Sequence, residues 1–264
     1  MSRSSLCRIP SEMLPSSFQS TTEKELSSAA ISPETEYLVS LCPVTYHLLS
    51  RLYHRPADYD LLKGLKEGHF FTLYYPFCAL PEIKDGLGAM LLDLGKPAER
   101  LAPLLEELRA EYRLLFSCFH QAAAPPVESF YPSPSPSKFT QQMTALLVSE
   151  KYAKAGMPDL GRGTWPADHL CQEMEFMARL SQQSANALEL NDLGFLNDRL
   201  LFQENFLEEH LLKWIPRFTD QVRLAATTDF YRGLACFTLA FLRFHLALLQ
   251  NLSFQLNVDS WRSD

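Results

Sequence analysis

Asp168, His169, Glu173 and His210 are the residues whose types and spacing could do chemistry. His169 and Glu173 lie four positions apart and so share one face of a helix. With Asp168 beside them they could move a proton or hold a divalent metal, with His210 as a further candidate. The ordinary reading of these residues is structural. Asp168 favours the positive end of a helix dipole, while His169 and Glu173 form a local pair. His210 and Trp214, again four apart, read as a structural stack.

The surrounding sequence withholds most of what catalysis requires. The residues three positions ahead of the seven histidines are Val44, Arg51, Lys66, Ser117, Pro166, Leu207 and Leu242. No Glu-x-x-His therefore occurs, which excludes the helical di-metal motif. HExxH and the phosphate loops GxxxxGK[ST] and GxGxxG are missing, as is the nucleophile elbow GxSxG. The six cysteines, at 7, 42, 78, 118, 171 and 236, contain no CxxC. They read as small apolar core residues in a reducing compartment, which favours the cytoplasm.

Charge is unevenly placed. The net charge is −7, and residues 166–210 account for it, with nine acids against Arg179 and Arg199. Such a run is commonly a solvated helix face, but it also suits a basic partner. It argues against nucleic acid, which needs basic patches.

The elements that position these residues are helical. In PAERLAPLLEELRAEYRLLF (97–116), Leu101, Leu104, Leu105, Leu108, Tyr112, Leu115 and Phe116 recur on one face. A helix opens at Pro33, and Pro43 should kink or divide it. Residues 56–94 read as shorter helices broken by Gly64, Gly68, Pro76, Pro81 and Gly86. Five prolines between 125 and 136 forbid helix and predict an extended loop laid across the surface. Further helices are expected over 139–154, from Thr164 and Pro166 onward with Leu170, Met174, Met177 and Leu180 inward, over 193–214 with a stop at Pro216, and over 228–254. The apolar stretch Leu234–Leu249 carries Arg243 and His245 and is too short to span a bilayer. Residues 1–32 are Ser- and Thr-rich, hold no signal-peptide core, and are expected as a flexible tail. The expectation is an all-α fold over 33–264: one globular multi-helix domain, or two lobes joined by the Pro-rich loop at about 120–137.

Motifs in order narrow the function. They are EYRLLF (111–116), PPVESFYPS (125–133), WPADHLCQEMEFMARL (165–180), FLEEHLLKWIPRF (206–218) and TDFYRGLACFTLAFL (228–242). Together they resemble the TorD/DmsD family of cytoplasmic chaperones, which includes the NarJ-type proteins and serves molybdenum-containing oxidoreductases. The resemblance runs from about 34 to 254 and is strongest between 108 and 218. Pro166, Ala167, Asp168 and His169 match the family's P-x-D-H. Glu128, Ser129, Phe130 and Tyr131 match its E-S-x-Y loop, and His210, Trp214 and Pro216 its His-x-x-x-Trp-x-Pro element. Ser117-Cys118-Phe119-His120 departs from the glycine-containing turn that is usual there.

The resemblance implies a protein that binds the twin-arginine leader and the apo catalytic subunit of a molybdenum oxidoreductase until its cofactor is inserted. It implies no cofactor or metal of its own, and a monomer or a domain-swapped dimer. A leader with an Arg pair beside an apolar stretch needs carboxylates beside an apolar groove. The implied leader site has Asp168 meeting guanidinium and His169 orienting it at the groove mouth. Trp165, Pro166, Glu128, Ser129, Tyr131, Tyr112, Phe116, His210 and Trp214 line the rest. An exposed carboxylate–Arg contact contributes only about 0–1 kcal/mol, so several must act together. Two rival readings remain: a helical assembly subunit of a stable complex, and a metal-dependent enzyme using Asp168, His169 and Glu173.

Overall fold

The computed structural model describes residues 31–67, 80–117, 121–131 and 137–260. Residues 1–30 of the tail and 132–136 of the loop lie outside them. The architecture is all-helical, and among the described residues the sole extended pairing is an isolated antiparallel bridge between Val127 and His169.

Helix α1 spans Pro33–His54. Ser32 caps it by accepting the Thr35 N–H at 3.2 Å, and Pro33 takes the first helical position, where its missing N–H costs nothing. Pro43 does not divide it. The helix continues because residues on both sides of Pro43, from Leu38 to Tyr53, are buried against one partner helix. Helix α2 (Tyr59–Glu67) is capped by Asp58, which accepts the Leu61 N–H at 2.9 Å. Helix α3 covers Pro81–Leu94. Gly64 and Gly86 sit inside these helices and break neither. Gly68 and Pro76 fall outside the described residues.

Helix α4 (Leu101–Phe116) buries the face expected of it. The chain then turns back through 121–131 to helix α5 (Lys138–Lys154). Helix α6 spans Leu170–Glu189, with the four expected apolar positions inside. It starts later than Thr164 and Pro166 suggest: Pro166 belongs to a turn closed by the His169 N–H onto its carbonyl at 3.0 Å. Asn191, at a φ of 53°, closes the helix in a left-handed conformation that Asn tolerates. Helix α7 (Leu193–Phe206) leads through a π turn at Leu207–Leu211 into helix α8 (Leu212–Ala225). Pro216 lies within α8 and does not stop it. The wider turn just ahead takes up the ladder disruption that a proline causes.

Helix α9 (Asp229–Ser260) closes the bundle. By length and composition Asp229–Leu256 could cross a membrane, but 61% of its apolar window is buried within the protein. Its N-terminus is fixed by two carboxylates. Asp93 of α3 accepts the Phe230 N–H at 2.8 Å, and Glu111 of α4 accepts the Thr228 N–H at 3.1 Å. Helix α1 packs along α6, and α3 along α9. The second contact is glycine-mediated: a Cβ on Gly86 would stand 2.6 Å from the Phe237 backbone, and one on Gly233 2.5 Å from the Gly86 carbonyl.

Candidate functional site

The described part of the Pro-rich loop, 121–131, is threaded inward instead of lying across the surface. Ala123 and Ala124 donate to the carbonyls of Leu114 and Leu115, so the chain doubles back along the end of α4. It then pairs with the segment ahead of α6. The Glu128 N–H donates to the Asp168 carbonyl at 2.9 Å, and the Leu170 N–H to the Pro126 carbonyl at 2.9 Å. This crossing sets Glu128–Phe130, a single 3₁₀ turn, against the start of α6 and buries Val127, Glu128, Ser129 and Tyr131.

Three carboxylates and two imidazoles meet there. Asp168 accepts the Ser129 N–H at 3.1 Å, and its carboxyl is held above the usual range by burial. His169 caps α6 by accepting the Cys171 N–H on Nδ1 at 3.1 Å, and its ring stacks on Trp165 at 4.5 Å. Burial pulls the His169 pKa down to about 3, with the neighbouring His54 adding to the effect. Glu128 pairs with His210 Nδ1 at 3.0 Å, and His210 stacks on Phe206 at 4.9 Å. Glu173 is fully buried, and its Oε2 accepts the Trp214 Nε1–H at 3.2 Å. Its carboxyl is held well above the usual range, first by burial and then by the charge of Glu128.

Aromatic rings wall the cluster. Tyr131 lies on Trp214 at 5.2 Å, and its hydroxyl donates to the Pro125 carbonyl at 2.8 Å. Phe218 touches Tyr131, Trp214 and Phe116, which joins this wall to Tyr112 of α4. Tyr152 of α5 closes another side by donating to the Ala167 carbonyl at 2.7 Å.

Several local expectations change. His169 and Glu173 do not form a pair; the first caps the helix and the second bonds to Trp214. His210 stacks on Phe206, not on Trp214. Asp168 and His169 are each 1% exposed and so do not stand at the mouth of an open groove. The partly accessible members are Trp165 and Pro166; Glu128, at 8%, and His210, at 7%, are buried but less completely than Asp168 and His169. The acidic excess also divides: Asp168 and Glu173 are buried, whereas Glu189, Asp192 and Asp198 face solvent. Glu209 pairs with Lys151, and Glu175 with Arg179. Among the described residues no three His, Cys, Asp or Glu side chains are set to hold a metal ion. The donors face Ser129, Trp214 and one another.

The sequence model of the family described as nitrate reductase delta subunit matches residues 79–220, a range that contains every member of this cluster. The chain belongs to that family. Among curated proteins it is similar to chaperone protein TorD of Shewanella piezotolerans, at 26% identity over 79% of this chain and 92% of the relative. TorD of Shewanella pealeana is 26% identical over 75% and 85%, and TorD of Aliivibrio salmonicida 26% over 77% and 92%. The motif resemblance to the TorD/DmsD family holds. No solved structure matches the chain.

Within this delta-subunit family chain, sequence reasoning missed Phe206, Phe218 and Tyr152 as parts of the site. A signal for the first two was present. Phe206, His210, Trp214 and Phe218 recur every fourth residue, the mark of one buried helical face. Glu173 reads from the sequence as part of a catalytic or metal-binding group or as a local partner of His169; its place three after Leu170 and four before Met177 marks it as inward, but nothing local points to Trp214 as its partner.

Proposed function

We propose that the protein is a maturation chaperone for a molybdenum oxidoreductase, working in the cytoplasm and without catalysis of its own. It binds the client's twin-arginine leader and apo catalytic subunit, and it delays export until the cofactor is in place. One observation carries this reading: a cluster of carboxylates walled by Tyr131, Trp214 and Trp165, with Trp165 half-buried and Glu128 the most exposed of the three acids at 8%. Guanidinium groups need carboxylates, and an apolar leader stretch needs aromatic surface. The family membership and the chaperone names of relatives spanned over most of their length support the same role.

In this reading Asp168 and His169 position the site. Asp168 holds the 3₁₀ turn through the Ser129 N–H, and His169 fixes the start of α6 and orients Trp165. Glu128, at the rim, is the first carboxylate that an incoming guanidinium meets.

The family's description as a subunit favours one rival, a permanent assembly component. Calorimetry with a synthetic peptide carrying an Arg pair beside an apolar stretch separates the two. A chaperone binds it reversibly, and Glu128→Ala weakens binding by roughly tenfold or more, the size of one buried charge-assisted hydrogen bond. No binding by the wild-type protein, with constant co-purification of a full-length partner, would establish the subunit reading instead.

A further inference from the structure

The least satisfied group in the cluster is Glu173. Its Oε2 has the Trp214 Nε1–H, while its Oε1 is fully buried and receives no N–H or O–H donor. After burial, the group that acts most strongly on the Glu173 carboxyl is the neighbouring carboxyl of Glu128. Two carboxylates in that position only repel, whereas one carboxyl and one carboxylate make a strong hydrogen bond.

The groups around them leave little other means of compensating two negative charges. The loop before α6 contributes Asp168, a third acid, and His169, which burial keeps neutral near pH 7. Helix α5 contributes the Tyr152 hydroxyl, α6 the Cys171 thiol, and α8 the Trp214 N–H. The π turn contributes His210, which is already engaged with Glu128. Leaving a charge unpaired at full burial is strongly unfavourable, so the pair keeps a proton.

We infer that Glu128 and Glu173 share one proton in the empty protein, and that a leader guanidinium takes its place. The inference rests on the leader-binding reading above and adds Glu173 as the residue that makes the site select a strong cation. The guanidinium enters at Glu128 and displaces His210. The shared proton leaves to solvent, and the charge of the cluster is unchanged by the exchange. Guanidinium suits this exchange because it stays charged and donates along two parallel directions, one to each carboxylate.

Two measurements test it. Infrared spectroscopy of the peptide-free protein at pH 7 should show a protonated-carboxyl stretch that Glu173→Gln removes; absence of that band overturns the shared proton. Calorimetry with the twin-arginine peptide, in buffers of different ionisation enthalpy, should show release of close to one proton per peptide. The Kd should correspondingly fall up to about tenfold from pH 6 to pH 7. Glu173→Gln should bind the peptide several-fold more weakly, with little dependence on buffer or pH over that range. Binding without proton release overturns the exchange and leaves the leader reading standing. A protein that shows the band but binds no peptide overturns the leader reading, and the exchange with it, while the shared proton stands.

Discussion

Replacing Glu173 by Gln should make the protein relatively more stable as pH rises. The side chain is fully buried, and burial together with the Glu128 charge holds its carboxyl well above the ordinary 4.5. A carboxyl with a raised folded pKa binds its proton more tightly in the native state. Its contribution is fully present below the unfolded value of about 4.5 and is lost as pH climbs towards the folded value. Each pH unit in that window costs wild type about 1.4 kcal/mol. Gln has no such proton to lose. It can also keep both contacts, with its carbonyl accepting from Trp214 Nε1 and its amide donating to Glu128. Urea denaturation of the two proteins should therefore give curves whose separation grows as pH rises above 4.5, by up to about 1.4 kcal/mol per pH unit, with the variant gaining. Parallel stability curves across pH 5 to 8 would refute the reasoning, because they mean that Glu173 is ionised in the folded protein as readily as in the unfolded chain.

Two other predictions concern the frame. His169 and His245 are both pulled down to about 3 by burial, so each is neutral in the fold and destabilises it as pH drops below 6.5. Between pH 6.5 and 5 each should remove about 2 kcal/mol, and His245→Gln should remove its share of that acid sensitivity in pH-dependent unfolding. Ala at Gly86 or Gly233 must push α3 and α9 apart and should cost about 1–3 kcal/mol. Ala at Gly64, which has open space around it, should be stabilising by about 0.5–1 kcal/mol. Equal melting temperatures for Gly64→Ala and Gly86→Ala would contradict the close approach.

Helices with a clear apolar face were legible, because burial and period coincide. Leu101 to Phe116 is the plainest case, and Leu170, Met174, Met177 and Leu180 another. Local breaker rules misled at Pro43, Pro216, Gly64 and Gly86. At Pro43, packing on both sides outweighs the lost hydrogen bond. At Pro216 a π turn takes up the disruption, and at Gly86 the missing side chain is what lets α3 meet α9. The loop at 121–131 departs from the expected surface path for a related reason. Proline excludes helix but does not say whether the extended path runs outside the core or through it. That depends on backbone pairing with residues about forty positions away, at Asp168 and Leu170.

The same limit explains the site. Residue type identified Asp168, His169, Glu128 and His210 as charged or titratable, but type alone could not say which would be buried. Glu128 meets His210 across 82 residues and Glu173 meets Trp214 across 41. Both contacts exist because the loop crosses ahead of α6 and the π turn rotates His210 towards it. Bringing three carboxylates together out of water is a poor way to stabilise a helical bundle, since apolar residues of the same volume are commonly as good or better. Aromatic packing around Phe218 and Phe116 could hold these helices without any acid among them. The cluster therefore makes more physical sense as a place where a cation is received than as a device for stability, and Glu173, the acid with the least local support, is the residue on which that argument turns.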